Sequence, residues 1–198
     1  MNAMAYNDKE GLIDFFGGDE DIKNDMIRCV GNPCERFSED PLRVLRGMQF
    51  VARFNLDPAP ETIAICRKMT PEGLAPERLF GEWEKLLTQG VWISKGLNFL
   101  KDVGWVKYYP ELAALIGCKQ DPEWHPEGDV WNHTLCCLDA FAKDRDNRTI
   151  EQSEQSNNED LVVGLAVLCH DFGKPKCTAY DPVKKRIRSL GHDEEGVA

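Results

Sequence analysis

The sequence predicts an all-α fold, mostly helical, with a helical array followed by a second helical unit. Three observations carry this. Apolar residues, 42% of the chain, recur at helical rather than alternating spacing. Prolines at 41, 60 and 76 sit where helices would start, and glycines at 90 and 104 where they would end. Long alternating apolar–polar runs do not occur, so strand signals are nearly absent. The 198 residues suffice for one or two domains with a sizeable core.

The elements follow in order. Residues 1–35 are acidic, and Asp14-Phe15-Phe16-Gly17-Gly18 reads as a turn. Ser38 suits an N-cap, with Glu39, Asp40 and Pro41 in the first turn, which predicts a helix over 39–54. Pro60 opens a helix to 69, and Pro76 another to 88. Residues 91–104 form a helix closed by Gly104. Residues 105–116 form another, with a break at Pro110. Residues 117–129 are a loop rich in Pro, Gly and Asp, read as a domain boundary. Helical spacing resumes at Val130. Residues 144–160 hold one apolar residue, Ile150, and read as an exposed, mobile insertion. Residues 161–169, LVVGLAVLC, fit either a buried helix or a core strand. The chain stops at a helix start. Three sections result: 1–35, 36–118 and 119–198.

Net charge is −10, which argues against general polyanion binding. The charge is uneven: ten acids and four bases over 1–40, against ten bases and eight acids over 41–118. The middle section is the least hostile to nucleic acid. The eight cysteines show no C-x-x-C pair or zinc spacing, and read as reduced, mostly buried thiols. The N-terminus has no basic start and no apolar core, so it is not a secretory signal. No apolar run approaches the roughly 20 residues that span a bilayer. A cytoplasmic, non-membrane protein is the expectation.

At 100° per residue, Glu39, Arg43, Arg46, Phe50 and Arg53 fall within about 40° of one line, with Asp40 beside it. Leu42, Leu45, Met48 and Ala52 lie off that line and can face a core. One reading is a solvated face with Glu39–Arg43 pairing. The other is a reader of bases. Arg offers a fork of donors and Asp only acceptors, so one Asp and one Arg can pair with the edge of cytosine or adenine. Uracil and guanine would oppose them with matched groups.

The stretches NAMAYN, DFFGGDEDI and IRCVGNPCERFSEDPLRVLRGMQFVARF resemble the bacterial tRNA nucleotidyltransferases (CCA-adding enzymes) and their poly(A) polymerase relatives. The family's E-D-x-x-R motif matches Glu39, Asp40 and Arg43. The resemblance implies that Asp40 and Arg43 read the base of CTP or ATP. It implies further that Glu77 and Arg78, in PERLFGEWEKLL, support the nucleotide pocket, with Arg46 beside it. Mg²⁺ held by two carboxylates drives nucleotide transfer in the family. The resemblance places those carboxylates in a head domain ahead of NAMAYN, with residues 1–35 the end of that head. The chain alone is therefore expected not to add nucleotides.

The four histidines, His125, His133, His170 and His192, lie in the last section. His170-Asp171 follows the apolar segment, and His133 sits on the helix from Val130. One reading is a structural helix cap. In the other, imidazole and carboxylate together suit Mg²⁺, Mn²⁺, Ni²⁺ or Fe rather than Ca²⁺. H…HD-x-G-K resembles the HD phosphohydrolase superfamily and the HD-type body of some CCA-adding enzymes. That resemblance implies His133, His170 and Asp171 as metal ligands for Ni²⁺, Mn²⁺ or Fe. It implies Lys174 for phosphate, and His192 near a second metal or the substrate.

The expected function is that of a fragment of a tRNA nucleotidyltransferase, carrying the base-reading neck and part of the HD body. Its implied partners are CTP, ATP, the tRNA 3′ end and a head domain supplied in trans. The alternatives are a metal-dependent HD phosphohydrolase, with phosphatase or 2′,3′-cyclic phosphodiesterase activity, and a nucleotide- or tRNA-binding module without catalysis.

Overall fold

The computed structural model describes residues 3–147 and 157–196. Most of the expected insertion, residues 148–156, lies outside the described residues. The described part is mostly helical, with short strands between helices.

Strands β1 (Met4–Asn7) and β2 (Gly11–Asp14) pair antiparallel, Met4 opposite Asp14. The expected turn follows. Asp14 accepts the backbone N–H groups of Phe16, Gly18 and Asp19 at 2.9–3.2 Å, and Gly17 takes φ +72°, a left-handed value that suits glycine. Helix α1 (Gly18–Lys23) leads to β3 (Met26–Ile27), which runs parallel to β4 (Asp57–Pro58).

The expected helix over 39–54 is two helices, α2 (Pro33–Glu39) and α3 (Arg43–Phe54). Ser38 lies inside α2, whose N-cap is Asn32, accepting from Cys34 N at 3.0 Å. The break has a steric cause: a residue preceding proline is pushed out of the helical region. Asp40, before Pro41, is extended, with φ −152° and ψ 93°. Asp40 closes α2 and leads into α3: its Oδ1 accepts from Leu42 N at 3.3 Å and its carbonyl from Arg43 N at 3.1 Å.

Helix α4 (Pro60–Cys66) is three residues shorter than expected; Lys68 and Met69 close it in turns. Then come α5 (Pro76–Gln89), α6 (Ile93–Asp102), a 3₁₀ turn (Trp105–Tyr108) and α7 (Pro110–Ala114). Asp129 caps α8 (Val130–Asp146), accepting from Asn132 N at 2.9 Å. Helix α9 (Asn157–Cys169) and the short α10 (Lys174–Cys177) follow. An antiparallel hairpin of β5 (Thr178–Asp181) and β6 (Arg186–Ser189), then α11 (His192–Glu195), completes the described fold.

One apolar core runs from Phe37 to Leu168 and passes residue 118 without a break. Helix α3 turns Val44, Leu45, Met48, Val51 and Ala52 inward, each at most 1% exposed. Each of the Val, Leu and Met side chains contributes roughly 1.5–3 kcal/mol on burial. Gly96 lets α6 approach α3: a methyl there would stand 2.8 Å from the carbonyl oxygen of Met48. Polar ties then join α8 to the array. Asp139 accepts from Ser94 N at 2.9 Å, capping α6. Buried Arg145 donates to the carbonyls of Leu87 and Gly90 at 2.5 and 2.7 Å, satisfying the end of α5.

Segment 161–169, left open between helix and strand, is helical and packs on α5 and α8. It is not wholly buried: Leu168 is buried, while Val162 and Val163 are exposed. All eight cysteines are free, and only Cys66 is buried, where desolvation pushes its thiol up to about 12. The expectation of mostly buried thiols is corrected to one. Among the described residues no helix is long and apolar enough to cross a membrane.

Candidate functional site

Two clusters hold the predicted residues. The first borders a cleft of about 620 Å³ between α2, α3 and the β3 segment, lined by Arg28, Arg36, Arg43 and Arg46 and floored by Phe37, Phe50 and Phe99. Glu39 Oε2 lies 3.2 Å from Arg43 Nη1 and 3.2 Å from Arg36 Nη1. These two guanidinium groups hold its carboxyl below the usual glutamate range. Arg43 also donates to the carbonyl of Arg36, so two contacts, both at Nη1, fix its fork. The pairs are exposed, so water screens them and they add little to stability.

Asp40 and Arg43 do not pair. Asp40 Oδ2 accepts from Arg78 Nη2, on α5, at 2.9 Å. The structure thus joins Asp40 to Arg78 and Arg43 to Glu39, and Glu77 is exposed beside them. A carboxylate has about four acceptor positions, so Asp40 keeps capacity for a ligand. Arg46 Nε lies 3.5 Å from Glu82 Oε1, a buried acid that Lys85 also meets at 3.1 Å. Sequence reasoning missed Glu82. Its signal is position: it falls in the buried stripe with Trp83, Leu86 and Leu87.

The second cluster is centred on Asp171, 1% exposed. Helix α8 supplies His133, the end of α9 His170, α10 Lys174 and α11 His192. Around the carboxylate, Lys174 Nζ stands at 2.8 Å, His170 Nε2 at 3.2 Å, His192 Nε2 at 3.6 Å and His133 Nε2 at 3.9 Å. All five predicted residues meet here. Gly173 permits the approach of α11: a methyl on it would overlap the carbonyl oxygen of His192.

The tautomers are fixed from behind. Each ring's Nδ1 faces an oxygen: His133 on Glu127 Oε1 at 2.6 Å, His170 on the Val167 carbonyl at 2.7 Å, and His192 on the Ser189 carbonyl at 2.7 Å. An acceptor at Nδ1 favours the proton there, so each ring in its neutral form can offer the Nε2 lone pair, on the Asp171 side, to a cation. Cys137 Sγ lies 3.5 Å from His133 Nε2. Glu127 and Cys137 were missed by sequence reasoning; Cys137 sits one helical turn beyond His133, which could have flagged it.

Burial pushes the Asp171 carboxyl up, but His170 and Lys174 outweigh it and hold it down to about 2. Asp171 raises His170 above its ordinary value against the cost of burial. Backbone N–H and then His125 and His133 pull Glu127 down to about 2. Asp171 Oδ2 is buried and lacks an aligned hydrogen bond. Its 2.8 Å contact with Lys174 is an ion pair, and the aligned bond of Lys174 goes to Gln120 Oε1 at 2.7 Å. His133, Cys137 and His170 bring their ligand atoms within 4.8 Å of one another, and with the Asp171 oxygen 3.2 Å from His170 they form a donor set that fits a divalent transition metal. It does not suit Mg²⁺, which prefers oxygen.

No family model matches the chain. Curated relatives do. The chain is 36% identical to the Multifunctional CCA protein of Acinetobacter baumannii (strain SDF), over 100% of this chain and 45% of that protein. It is 37% identical to the Multifunctional CCA protein of Halorhodospira halophila, over 100% and 44%. Among solved structures, a tRNA-processing enzyme in its apo form is similar at TM-score 0.47 and 24% identity, covering 88% of this chain and 50% of that one. Over its whole length the chain is similar to Multifunctional CCA proteins, and it spans about half the length of the curated relatives it matches.

Proposed function

We propose that the chain carries the base-reading section of a tRNA nucleotidyltransferase that builds CCA ends from CTP and ATP, together with part of an HD-type body. The observation that supports this best is the similarity of the whole of this chain to part of the CCA proteins, with Glu39 and Arg43 paired at the rim of the arginine-lined cleft. In this reading Arg43, its fork fixed by Glu39 and the Arg36 carbonyl, donates to the acceptor edge of cytosine or adenine. Asp40 accepts from the amino group, and Arg78 holds Asp40 in place. Arg46, anchored by Glu82, adds positive charge toward the nucleotide. Residues 1–35 are the end of the head, 36–118 the neck and 119–198 part of the HD body. Mg²⁺ and the transfer step belong to a head domain acting with this chain, in the same protein or in trans, and the tRNA 3′ end is the acceptor. The test is titration of the full chain with CTP, ATP, UTP and GTP. CTP and ATP should bind more tightly than UTP and GTP; four equal affinities would defeat the reading.

A second reading, a metal-dependent phosphohydrolase, is favoured by the three Nε2 atoms gathered on Asp171. His133, His170 and Asp171 would hold Ni²⁺, Mn²⁺ or Fe, with His192 at its side. When bound, such a metal supplies a Lewis acid and a water of lowered pKa. Glu127 keeps His133 in the ligating tautomer, and Lys174 orients Asp171. Titrating Ni²⁺ or Mn²⁺ into wild type and His170→Ala, with melting temperature followed on both, tests it. Metal should stabilise the wild type and not the variant; no binding to wild type at millimolar metal would remove the reading.

A further inference from the structure

Two imidazoles and a carboxylate, from His133, His170 and Asp171, form the metal site of the phosphohydrolase reading. A thiol stands against them. Helix α8 carries His133 and, one turn on, Cys137, so both side chains leave the same face of the helix. The adjacent Cys136 is turned to solvent. Cys137 Sγ stands 3.5 Å from His133 Nε2, and the ligand atoms of His133, Cys137 and His170 all lie within 4.8 Å of one another. A second observation comes from beyond α8. Asp171 is 1% exposed, and its Oδ2, which accepts no aligned hydrogen bond, lies 3.2 Å from His170 Nε2 and 3.9 Å from His133 Nε2. An ionised carboxylate has about two lone-pair directions on each oxygen, so the ion pair with Lys174 leaves Oδ2 one direction for a cation.

The spacing matches one coordination geometry. Zinc bonds of about 2.0–2.2 Å to N and O and about 2.3 Å to S put the corners of a tetrahedron about 3.4 Å apart for N and O, and about 3.6 Å apart for N and S. The three printed separations, 3.2, 3.9 and 3.5 Å, differ from those edges by about half an ångström or less. His192 Nε2 faces the other oxygen, Oδ1, at 3.6 Å, beside this set rather than in it. The surroundings suit sulfur too. Cys137 and His170 border an apolar groove whose other walls are Val162, Val163, Ala166 and Val167 of α9. Such a flank holds little of the water that a hard ion keeps around itself. A thiolate is a soft ligand that favours Zn²⁺, whereas Mn²⁺ and Mg²⁺ favour oxygen.

We propose that Cys137 is a thiolate ligand, completing a four-coordinate site of His133, Cys137, His170 and Asp171 that selects Zn²⁺ over Mn²⁺ and Mg²⁺. On binding, a metal–sulfur bond replaces the S–H bond and the proton passes to solvent. Four protein donors close the tetrahedron, as in structural zinc sites, and water reaches the ion only as a fifth ligand. The inference rests on the metal-binding part of the phosphohydrolase reading, and goes beyond it in the fourth ligand and in the ion that this ligand selects.

The test uses Co²⁺, a spectroscopic stand-in for Zn²⁺, titrated into the full chain with its thiols kept reduced. Wild type, Cys137→Ser and Cys136→Ser are compared, each with its melting temperature in EDTA. Wild type and Cys136→Ser should develop an ultraviolet sulfur-to-cobalt charge-transfer band that saturates at one equivalent. Zn²⁺ should bleach that band at far lower concentration than Mn²⁺. Cys137→Ser should lack the band and bind Zn²⁺ about tenfold more weakly or worse, while its affinity for Mn²⁺ falls less. Cys137→Ala repeats the measurement if the serine variant melts early. A band that survives in Cys137→Ser overturns the inference. Co²⁺ binding to wild type without the band also overturns it, and leaves the phosphohydrolase reading standing. A thiolate-bound metal in a protein that hydrolyses no phosphate ester removes that reading alone. Wild type that binds no Co²⁺ at millimolar concentration removes both.

Discussion

The arginine cleft and the Asp171 cluster are both assemblies of charge, and they are built in opposite ways. In the cleft, Arg36 and Arg43 are answered by Glu39, a neighbour in sequence, at 3.2 Å, and all three side chains reach solvent. At Asp171, a carboxylate 1% exposed is answered from four separate helical elements, by His133, His170, Lys174 and His192. Water screens the first arrangement, which residues close in sequence build across the break between α2 and α3, and its charges remain available to a ligand. Packing enforces the second, so its chemistry and the stability of the fold are coupled.

The sharpest way to break that contrast is Asp171→Ala. It leaves buried Lys174 with Gln120 alone, and should cost about 3–5 kcal/mol, the penalty for half of a buried pair. Urea unfolding measures it; a loss under 1 kcal/mol, well below that range, would mean that Asp171 does not organise the region. Gly173→Ala comes next. Its methyl would displace the backbone of His192, at about 1–3 kcal/mol for overpacking, and should weaken metal binding by withdrawing His192. Equal metal affinity in that variant would show that α11 plays no part.

The pH dependence, with metals chelated, sharpens the same side. His170 is raised from 6.5, so its contribution is full below that value and is lost as pH rises through the folded pKa. Asp171 is lowered from 3.8 to about 2, so its contribution is full above 3.8 and is lost as pH falls toward 2. Stability should be flat between these two windows and fall on either side. His170→Ala should remove the alkaline fall; an unchanged alkaline limb would assign that titration to another group. On the cleft side, Glu39→Gln should leave the melting temperature unchanged, as for an exposed, water-screened pair. A marked drop would mean that the Glu39 pairs are structural after all.

The two regions were also unequally legible. Helix α3 announced itself through the spacing of Leu45, Met48 and Ala52, and α5 through Pro76 and Gly90, because local rules govern them. The start of α3 was misplaced because Pro41 acts on Asp40 before it: Asp40 closes α2, and α3 begins after Leu42 rather than at Ser38. The hairpins β1–β2 and β5–β6 escaped because strands of four residues without a clean buried face carry no alternation to read. At the second cluster the identities of His133, His170 and Asp171 were visible as a motif, yet not what surrounds them. Glu127 is held to His133 by a loop, and Gln120 to Lys174 across 54 positions. Such contacts depend on tertiary packing, which no local spacing encodes. Likewise the pairing of Asp40 with Arg78, 38 positions away, could not follow from the i,i+3 geometry that suggested Arg43.

The central claim is that the cleft reads bases through Arg43 while contributing little to the fold. Affinities of wild type and Arg43→Ala for CTP, ATP, UTP and GTP, with the melting temperature of both proteins, test it together. The account predicts a preference for CTP and ATP in the wild type that vanishes in Arg43→Ala, with the two melting temperatures equal. A variant that keeps the preference, or that loses it only by unfolding, would contradict it.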